Sequence, residues 1–247
     1  MVLDSFSYTC TGGREYNQDT VGISESSSGA VYVVADGLGG HLHGEMASKC
    51  AVDTFLEAEL PQSAELASWL EEQITLANQS ILSLQEQYGN MKTTVSSLII
   101  QDDRAAWAHV GDSRLYYLHG KTIEAFTQDH SVAYKKYLSG EISREEIGSD
   151  VDQSSLLRTL GNPTRCKPVF GEPGHPIEAN DGFLLCSDGF WEYVLDDEIL
   201  VDYLKADCAQ TWAELLLLRV MERIDAGNDN LSVITVMVKE DQSEEFP

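Results

Sequence analysis

The chain reads as an α/β layered sandwich on antiparallel sheets, and three observations carry that reading. Strand-like apolar runs outnumber helix-period stretches, the strands between 95 and 118 are joined by loops too short to hold a helix, and the helical stretches cluster apart from the strands. The strand runs are Phe6 to Thr9, Thr20 to Ser24, Ala30 to Ala35, Val95 to Gln101, Ala105 to Val110, Arg114 to Leu118, Phe183 to Ser187 and Leu231 to Val238. Between Ala64 and Tyr88, Leu66, Trp69, Leu70, Ile74, Ala77, Ile81 and Leu84 recur at helical spacing, and Gly89 follows as a stop. A second long helix is expected from Thr211, where Thr211-Trp212-Ala213-Glu214 fits a capping box, to about Asp225, with Gly227 as its C-terminal signal. A shorter one starts near Glu45 and runs through Ala47, Cys50, Ala51, Phe55 and Leu56. No low-complexity linker, repeat or Pro-rich hinge divides the chain, so residues 1–247 are expected to fold as one domain.

Composition narrows the function classes. The 41 acidic against 16 basic residues give a formal charge of −25, which opposes attraction to phosphate backbones and anionic membranes; neither nucleic acid nor a membrane is an expected partner. Five cysteines without a CxxC pair suggest neither a disulfide framework nor a zinc ribbon. The Met-Val-Leu-Asp-Ser start lacks the charged and apolar regions of a signal peptide, and no apolar run approaches membrane-spanning length. A cytoplasmic monomer is expected.

The chemistry concentrates where strands meet acids. Val33-Val34-Ala35-Asp36-Gly37-Leu38-Gly39-Gly40-His41 takes a buried strand into an acid, glycines and a histidine, with Asp36 expected where the strand stops. Phe183-Leu184-Leu185-Cys186-Ser187-Asp188-Gly189 repeats that layout, Gly227-Asn228-Asp229-Asn230 puts an acid at the entry of a strand, and Gly111-Asp112-Ser113-Arg114 links two strands tightly. Singly, each is a turn aspartate bonding its own backbone. Together, converging carboxylates would repel one another unless cations neutralised them, and all-oxygen ligands favour Mg²⁺ or Mn²⁺ over zinc. A backbone carbonyl such as that of Gly37 can complete a coordination shell. Two such ions about 4 Å apart can turn a bridging water into hydroxide and clamp a phosphoryl group, which suggests phosphate-ester hydrolysis. Arg14, in Gly12-Gly13-Arg14-Glu15-Tyr16-Asn17-Gln18-Asp19, offers a planar fork for phosphate oxygens. His41 could protonate the departing alkoxide; His43 competes for that role, and spacing alone does not separate them.

Taken in order, Arg14-x-x-Asn17-Gln18-Asp19, Asp36-Gly37-Leu38-Gly39-Gly40-His41, Gly111-Asp112-Ser113-Arg114, Thr127-Gln128-Asp129-His130-Ser131, Ser187-Asp188-Gly189-Phe190-Trp191 and Asp229-Asn230 resemble the motifs of bacterial PP2C-type (PPM family) serine/threonine phosphatases. The resemblance implies a four-layer αββα sandwich, two central antiparallel sheets flanked by helices, with metals at one edge. It implies that Asp36 bridges two Mn²⁺ or Mg²⁺ ions, that the Gly37 carbonyl, Asp188 and Asp229 complete the set, and that Asp112 helps Asp188 hold a third, weaker ion. By the same resemblance Asn230 orients Asp229, Arg14 binds phosphate, and His41 rather than His43 is the general acid. Gln18-Asp19 stands where eukaryotic members carry Glu-Asp, so Asp19 is expected to serve the metals through water. The segment at about 130–160 resembles the family's flap, but its usual His-Pro-x-Arg-Asn stretch is replaced by Gly148-Ser149-Asp150-Val151-Asp152-Gln153-Ser154.

The expected function is hydrolysis of phosphoserine or phosphothreonine on proteins, without a phosphoenzyme, opposing a cognate bacterial Ser/Thr kinase. The Ser187-to-Tyr193 wording and the chain length look similar to phosphatases paired with kinases that regulate type VI secretion. The alternative is a catalytically silent member that binds phosphoproteins; retention of the acids argues against it. A metal-dependent nuclease would share the two-metal chemistry, but the charge opposes it.

Overall fold

The computed structural model describes residues 1–38, 43–61, 65–172, 174–224 and 226–240. Among these residues twelve strands and six α-helices follow in the order β1 (Val2–Cys10), β2 (Asp19–Ser26), β3 (Gly29–Leu38), α1 (Gly44–Glu57), α2 (Leu66–Tyr88), β4 (Lys92–Thr93), β5 (Val95–Gln101), β6 (Arg104–Val110), β7 (Arg114–His119), β8 (Thr122–Phe126), α3 (Val132–Ser139), β9 (Val169–Phe170), β10 (His175–Pro176), β11 (Asp181–Cys186), α4 (Asp188–Trp191), α5 (Asp196–Lys205), α6 (Ala209–Arg223) and β12 (Leu231–Lys239). One sheet has the order β1-β12-β11-β7-β8; the other has β10-β6-β5-β3-β2, with β4 on β3 and β9 on β6. Every pairing is antiparallel.

The period of two along the central strands produces the four layers. In β3, Val31, Val33 and Ala35 face α1 and α2 in one core with Phe55, Leu70, Ile74 and Ile81. The alternate residues Ala30, Tyr32 and Val34, with Leu98 of the same sheet, face the second sheet and meet Tyr117, Phe183, Leu185, Ile234 and Val236 between the sheets. On the far side of the second sheet, Leu184, Cys186 and Val233 pack on Phe190, Trp212, Leu216 and Val220 of the C-terminal helices. Strands buried on both faces lack polar alternation, which is why they read as continuous apolar runs.

Several boundaries differ from the sequence expectation. β3 runs on to Leu38, so Asp36 lies within the strand, paired in register with Asp19. The capping box at Thr211 is not used: α6 begins at Ala209, and the Cys208 sulfur accepts from the Thr211 N–H in place of a capping hydroxyl. That helix ends at Arg223, where Ile224 turns extended; Asp225, its expected end, lies outside the described residues. β11 ends at Cys186, and Ser187 stands at the N-terminus of α4 without a side-chain cap, its hydroxyl donating to Asp19 instead. Ala64 lies outside the described residues. β8, α3 and α5 were not expected; β8 is an edge strand with an exposed/half-buried alternation, and α3 and α5 are short helices whose apolar stripes span only two or three turns.

Candidate functional site

Antiparallel pairing carries the acids to one end of both sheets. Cys186 at the end of β11 pairs with Arg114 at the start of β7 and with Val233 near the start of β12. Asp188 just past β11, Asp112 just before β7 and Asp229 just before β12 therefore share one edge. On the other sheet Val110 pairs with Val95, and the register Asp19↔Asp36 faces the same edge. Between them opens a cleft of about 610 Å³, lined by Arg14, Gln18, Asp36, Gly37, Asp112, Asp188, Asp229 and Asn230, with Ser154 and Leu156 on its rim.

The backbone around each acid is fixed by its neighbours. The Asp36 N–H donates to the Thr94 hydroxyl (2.9 Å), while the Asp36 carbonyl accepts from the Thr93 hydroxyl (2.8 Å) and the Thr94 N–H (2.9 Å). At Gly37 a Cβ would sit 2.2 Å from the Gly44 carbonyl oxygen and 2.6 Å from that of Gln18; only glycine lets α1 and the Gln18 turn close on β3 here. At Gly189 a Cβ would come within 2.1 Å of the Asn230 carbonyl, so the first turn of α4 can lie against the start of β12. Asn230 acts mainly on the arginine loop. Its amide donates to the carbonyls of Thr11 and Tyr16 (both 2.9 Å) and its oxygen accepts from the Gln18 N–H (2.8 Å), while its backbone N–H holds Asp229 Oδ1 (2.8 Å).

A buried ion pair joins two of the sequence motifs. Arg114 Nε and Nη2 donate to Asp129 at 2.8 and 2.7 Å, with the two side chains 6% and 1% exposed. The guanidinium lies 3.5 Å from the Trp191 ring centroid, and Trp191 Nε1 donates to the Asp112 carbonyl (2.9 Å). Arg114, Asp129 and Trp191 thus set the position of Asp112 from beneath.

Charge in the cleft is unbalanced. Burial first, and then the fields of Asp188, Asp19, Asp112 and Asp229, raise the Asp36 carboxyl well above its ordinary range. Asp112 is raised by burial and then by Asp188, and Asp188 by burial and then by Asp229. Asp19 is pushed up to about 7 by burial, against hydrogen bonds from Ser187 (2.7 Å) and Ser232. Glu192, one helical turn after Asp188, is pushed up to about 8 by burial, then Asp188 and Asp229. Asp112 Oδ1 is buried without a hydrogen-bond partner. Arg14 Nη2 donates to Asp229 (2.8 Å) across an exposed ion pair, and Gln153 Nε2 donates to Asp188 (3.0 Å). Among the described residues no three acidic side chains already form a metal cage. The donor set nevertheless fits a hard divalent cation: it is all oxygen, partly desolvated, mutually repelling, and includes an orphaned acceptor.

Of the residues singled out in the sequence, Arg14, Asp36, Gly37, Asp112, Asp188, Asp229 and Asn230 come together in the cleft; Asp19 lies behind it, 7% exposed. His41, with Gly39 and Gly40, lies outside the described residues. His43, at the head of α1, turns its ring onto Tyr88 with centroids 5.6 Å apart. Sequence reasoning missed Thr94, Gln153 and Glu192. Only Glu192 left a signal, its i+4 spacing from Asp188.

The family described as Protein phosphatase 2C matches residues 9–215. The serine/threonine phosphatase Stp of Listeria welshimeri is 31% identical over 233 residues, covering 90% of each chain. The Mycobacterium tuberculosis serine/threonine phosphatase PstP/Ppp superposes with a TM-score of 0.84 at 26% identity, covering 97% of this chain and all of that one. A structure of the PstP catalytic domain in complex with two manganese ions gives 0.79 at 25% identity, covering 96% and 99%. PppA of Pseudomonas aeruginosa, a key regulatory component of its T6SS, gives 0.78 at 25%, covering 96% and 98%. Among the described residues no helix is long and apolar enough to cross a membrane. On this evidence the chain belongs to the protein phosphatase 2C family, as a bacterial-type serine/threonine protein phosphatase.

Proposed function

We propose that the phosphatase is metal-dependent and that the cleft holds its ions. Asp36, the Gly37 carbonyl, Asp188 and Asp229 hold two Mn²⁺ or Mg²⁺, with Asp19 behind them acting through water; Asp112 and Asp188 hold a third, weaker one. The observation that carries this reading is the convergence of these acids and Arg14 on one cleft, with Asp112 Oδ1 left unpartnered. When bound, such ions activate a water and neutralise charge on the phosphoryl oxygens.

The chain's own residues supply the rest. Arg14 grips two phosphate oxygens with its fork. Its present partner does not impede this: the ion pair with Asp229 is 56% and 42% exposed, and such pairs are worth only about 0–1 kcal/mol. Asn230 keeps the Arg14 loop seated, since its amide spans Thr11 and Tyr16. His41 protonates the departing serine or threonine oxygen, and water attacks without a phosphorylated side chain.

The substrate is a phosphoprotein and the opposing enzyme a Ser/Thr kinase, in the cytoplasm; the likeness to PppA supports a link to type VI secretion. Residues 1–247 form one domain in this proposal, with 130–160 as its flap. Asp188→Asn is expected to abolish Mn²⁺-dependent turnover of a phosphopeptide with the melting temperature kept. Near-wild-type turnover would refute the assignment; phosphopeptide binding by a wild-type protein without Mn²⁺-dependent turnover would favour a silent phosphoprotein reader.

A further inference from the structure

The stretch that departs from the family pattern, Gly148 to Ser154, is built into a rigid loop that reaches the cleft. The Asp152 N–H donates to Asp150 Oδ1 (2.8 Å), the Gln153 N–H to the Asp150 carbonyl (3.0 Å), and the Ser155 N–H to the Asp152 carbonyl (3.0 Å). Lys136 of α3 clamps both acids, its Nζ 2.8 Å from Asp150 Oδ1 and 2.7 Å from Asp152 Oδ2. The outgoing limb is stitched to the start of α3 by Val132 N–H to the Ser155 carbonyl (3.0 Å) and Leu157 N–H to the His130 carbonyl (2.7 Å). Fixed at both ends, the loop aims one neutral amide at the acids.

That amide is Gln153. Its Nε2 donates to Asp188 Oδ2 (3.0 Å), while Asp188 Oδ1 accepts from the Gly189 N–H (2.7 Å). Each carboxylate oxygen thus has a protein donor that fixes its direction, and retains lone-pair capacity for another partner. A glutamine suits this place: it adds donors without adding a charge to an already acidic cluster. The same side chain opposes the raised pKa of Glu192, a further acid beside Asp188.

We propose that Gln153 is a positioning residue for Asp188 and that, through the Lys136 clamp, it couples the conformation of residues 148–156 to ion binding in the cleft. This rests on the reading of Asp188 as a metal ligand. Coupling of this kind is reciprocal: an ordered loop tightens ion binding, and the ion orders the loop by the same factor.

The test titrates Mn²⁺ into the full chain by calorimetry and follows amide exchange of residues 148–156 with and without Mn²⁺. In the wild type Mn²⁺ slows exchange across the loop. Gln153→Ala raises the Mn²⁺ Kd about tenfold, the usual cost of removing a group that orients a ligand, and Mn²⁺ no longer slows exchange. Lys136→Met reproduces both effects at a distance and Lys136→Arg restores them, while metal-free melting shows that each variant is folded. Wild-type Mn²⁺ affinity or persisting Mn²⁺-dependent protection in folded Gln153→Ala would overturn the proposal. Asp188→Asn separates the two possible failures: if it abolishes Mn²⁺ binding and Gln153→Ala does nothing, the coupling is wrong; if Asp188→Asn binds Mn²⁺ normally, the ligand assignment falls and the coupling with it.

Discussion

Removing Asp129 should test how the Asp112 loop is held. Arg114 and Asp129 are 6% and 1% exposed and share two hydrogen bonds of 2.8 and 2.7 Å, so truncation to alanine leaves a guanidinium buried without its counter-charge. Breaking such a pair costs about 3–5 kcal/mol. Arg114 would keep two contacts, Nη1 on the Tyr116 hydroxyl (3.1 Å) and its face on Trp191, which places Asp129→Ala near the lower end, about 3 kcal/mol. For a chain of this size that is a fall in melting temperature of about 6–12 °C. Urea unfolding at pH 7.5, with thermal melts alongside, measures it. The double variant Arg114→Met/Asp129→Leu should recover most of the loss, because it removes both charges and keeps apolar volume. A cost below about 1 kcal/mol for Asp129→Ala, or a double variant less stable than the single, would refute the reasoning.

Arg14→Ala should weaken turnover of phosphopeptides chiefly through KM, by about 10- to 100-fold, as expected for losing charged hydrogen bonds of about 1.5–3 kcal/mol; an unchanged KM in steady-state kinetics would remove Arg14 from the site. His41→Ala should cost more on a phosphopeptide than on an aryl phosphate, whose leaving group needs less protonation, and equal losses on both would exclude it as the acid. Glu198 is held down to about 2, first by its hydrogen bond from Arg223, so its contribution is present above the unfolded value near 4.5 and fades as pH falls toward 2. The stability gap between wild type and Glu198→Gln in urea melts should therefore narrow from pH 6 to pH 3, and a constant gap would contradict the pairing.

What the sequence made legible follows from where the physics is local. The doubly buried strands β3, β5, β11 and β12 were readable because no solvent-facing residue interrupts their apolar runs, and α2 because 23 residues give a long amphipathic stripe. β8, α3 and α5 were not, since a short edge strand or a two-turn helix is decided by what it packs on. The helix start at Cys208 was missed because sulfur is an uncommon cap. In the site, Asp36, Asp112, Asp188 and Asp229 were visible as acids beside apolar strands, but their convergence depends on the pairing of β11 with both β7 and β12, which joins Cys186 to Arg114 and to Val233, far apart in sequence. Gln153 was invisible, because its meaning comes from a loop geometry set by Lys136, Asp150 and Asp152 rather than from its own identity.

The central claim is that the carboxylates at this sheet edge hold the ions that run the hydrolysis. The most direct test is a crystal structure grown with Mn²⁺ and read at the manganese absorption edge. The account predicts at least two anomalous peaks in the cleft, one touching Asp36 and each contacted by an oxygen of Asp36, Gly37, Asp188 or Asp229. Peaks confined to other acidic surfaces, or none at millimolar Mn²⁺, would contradict it.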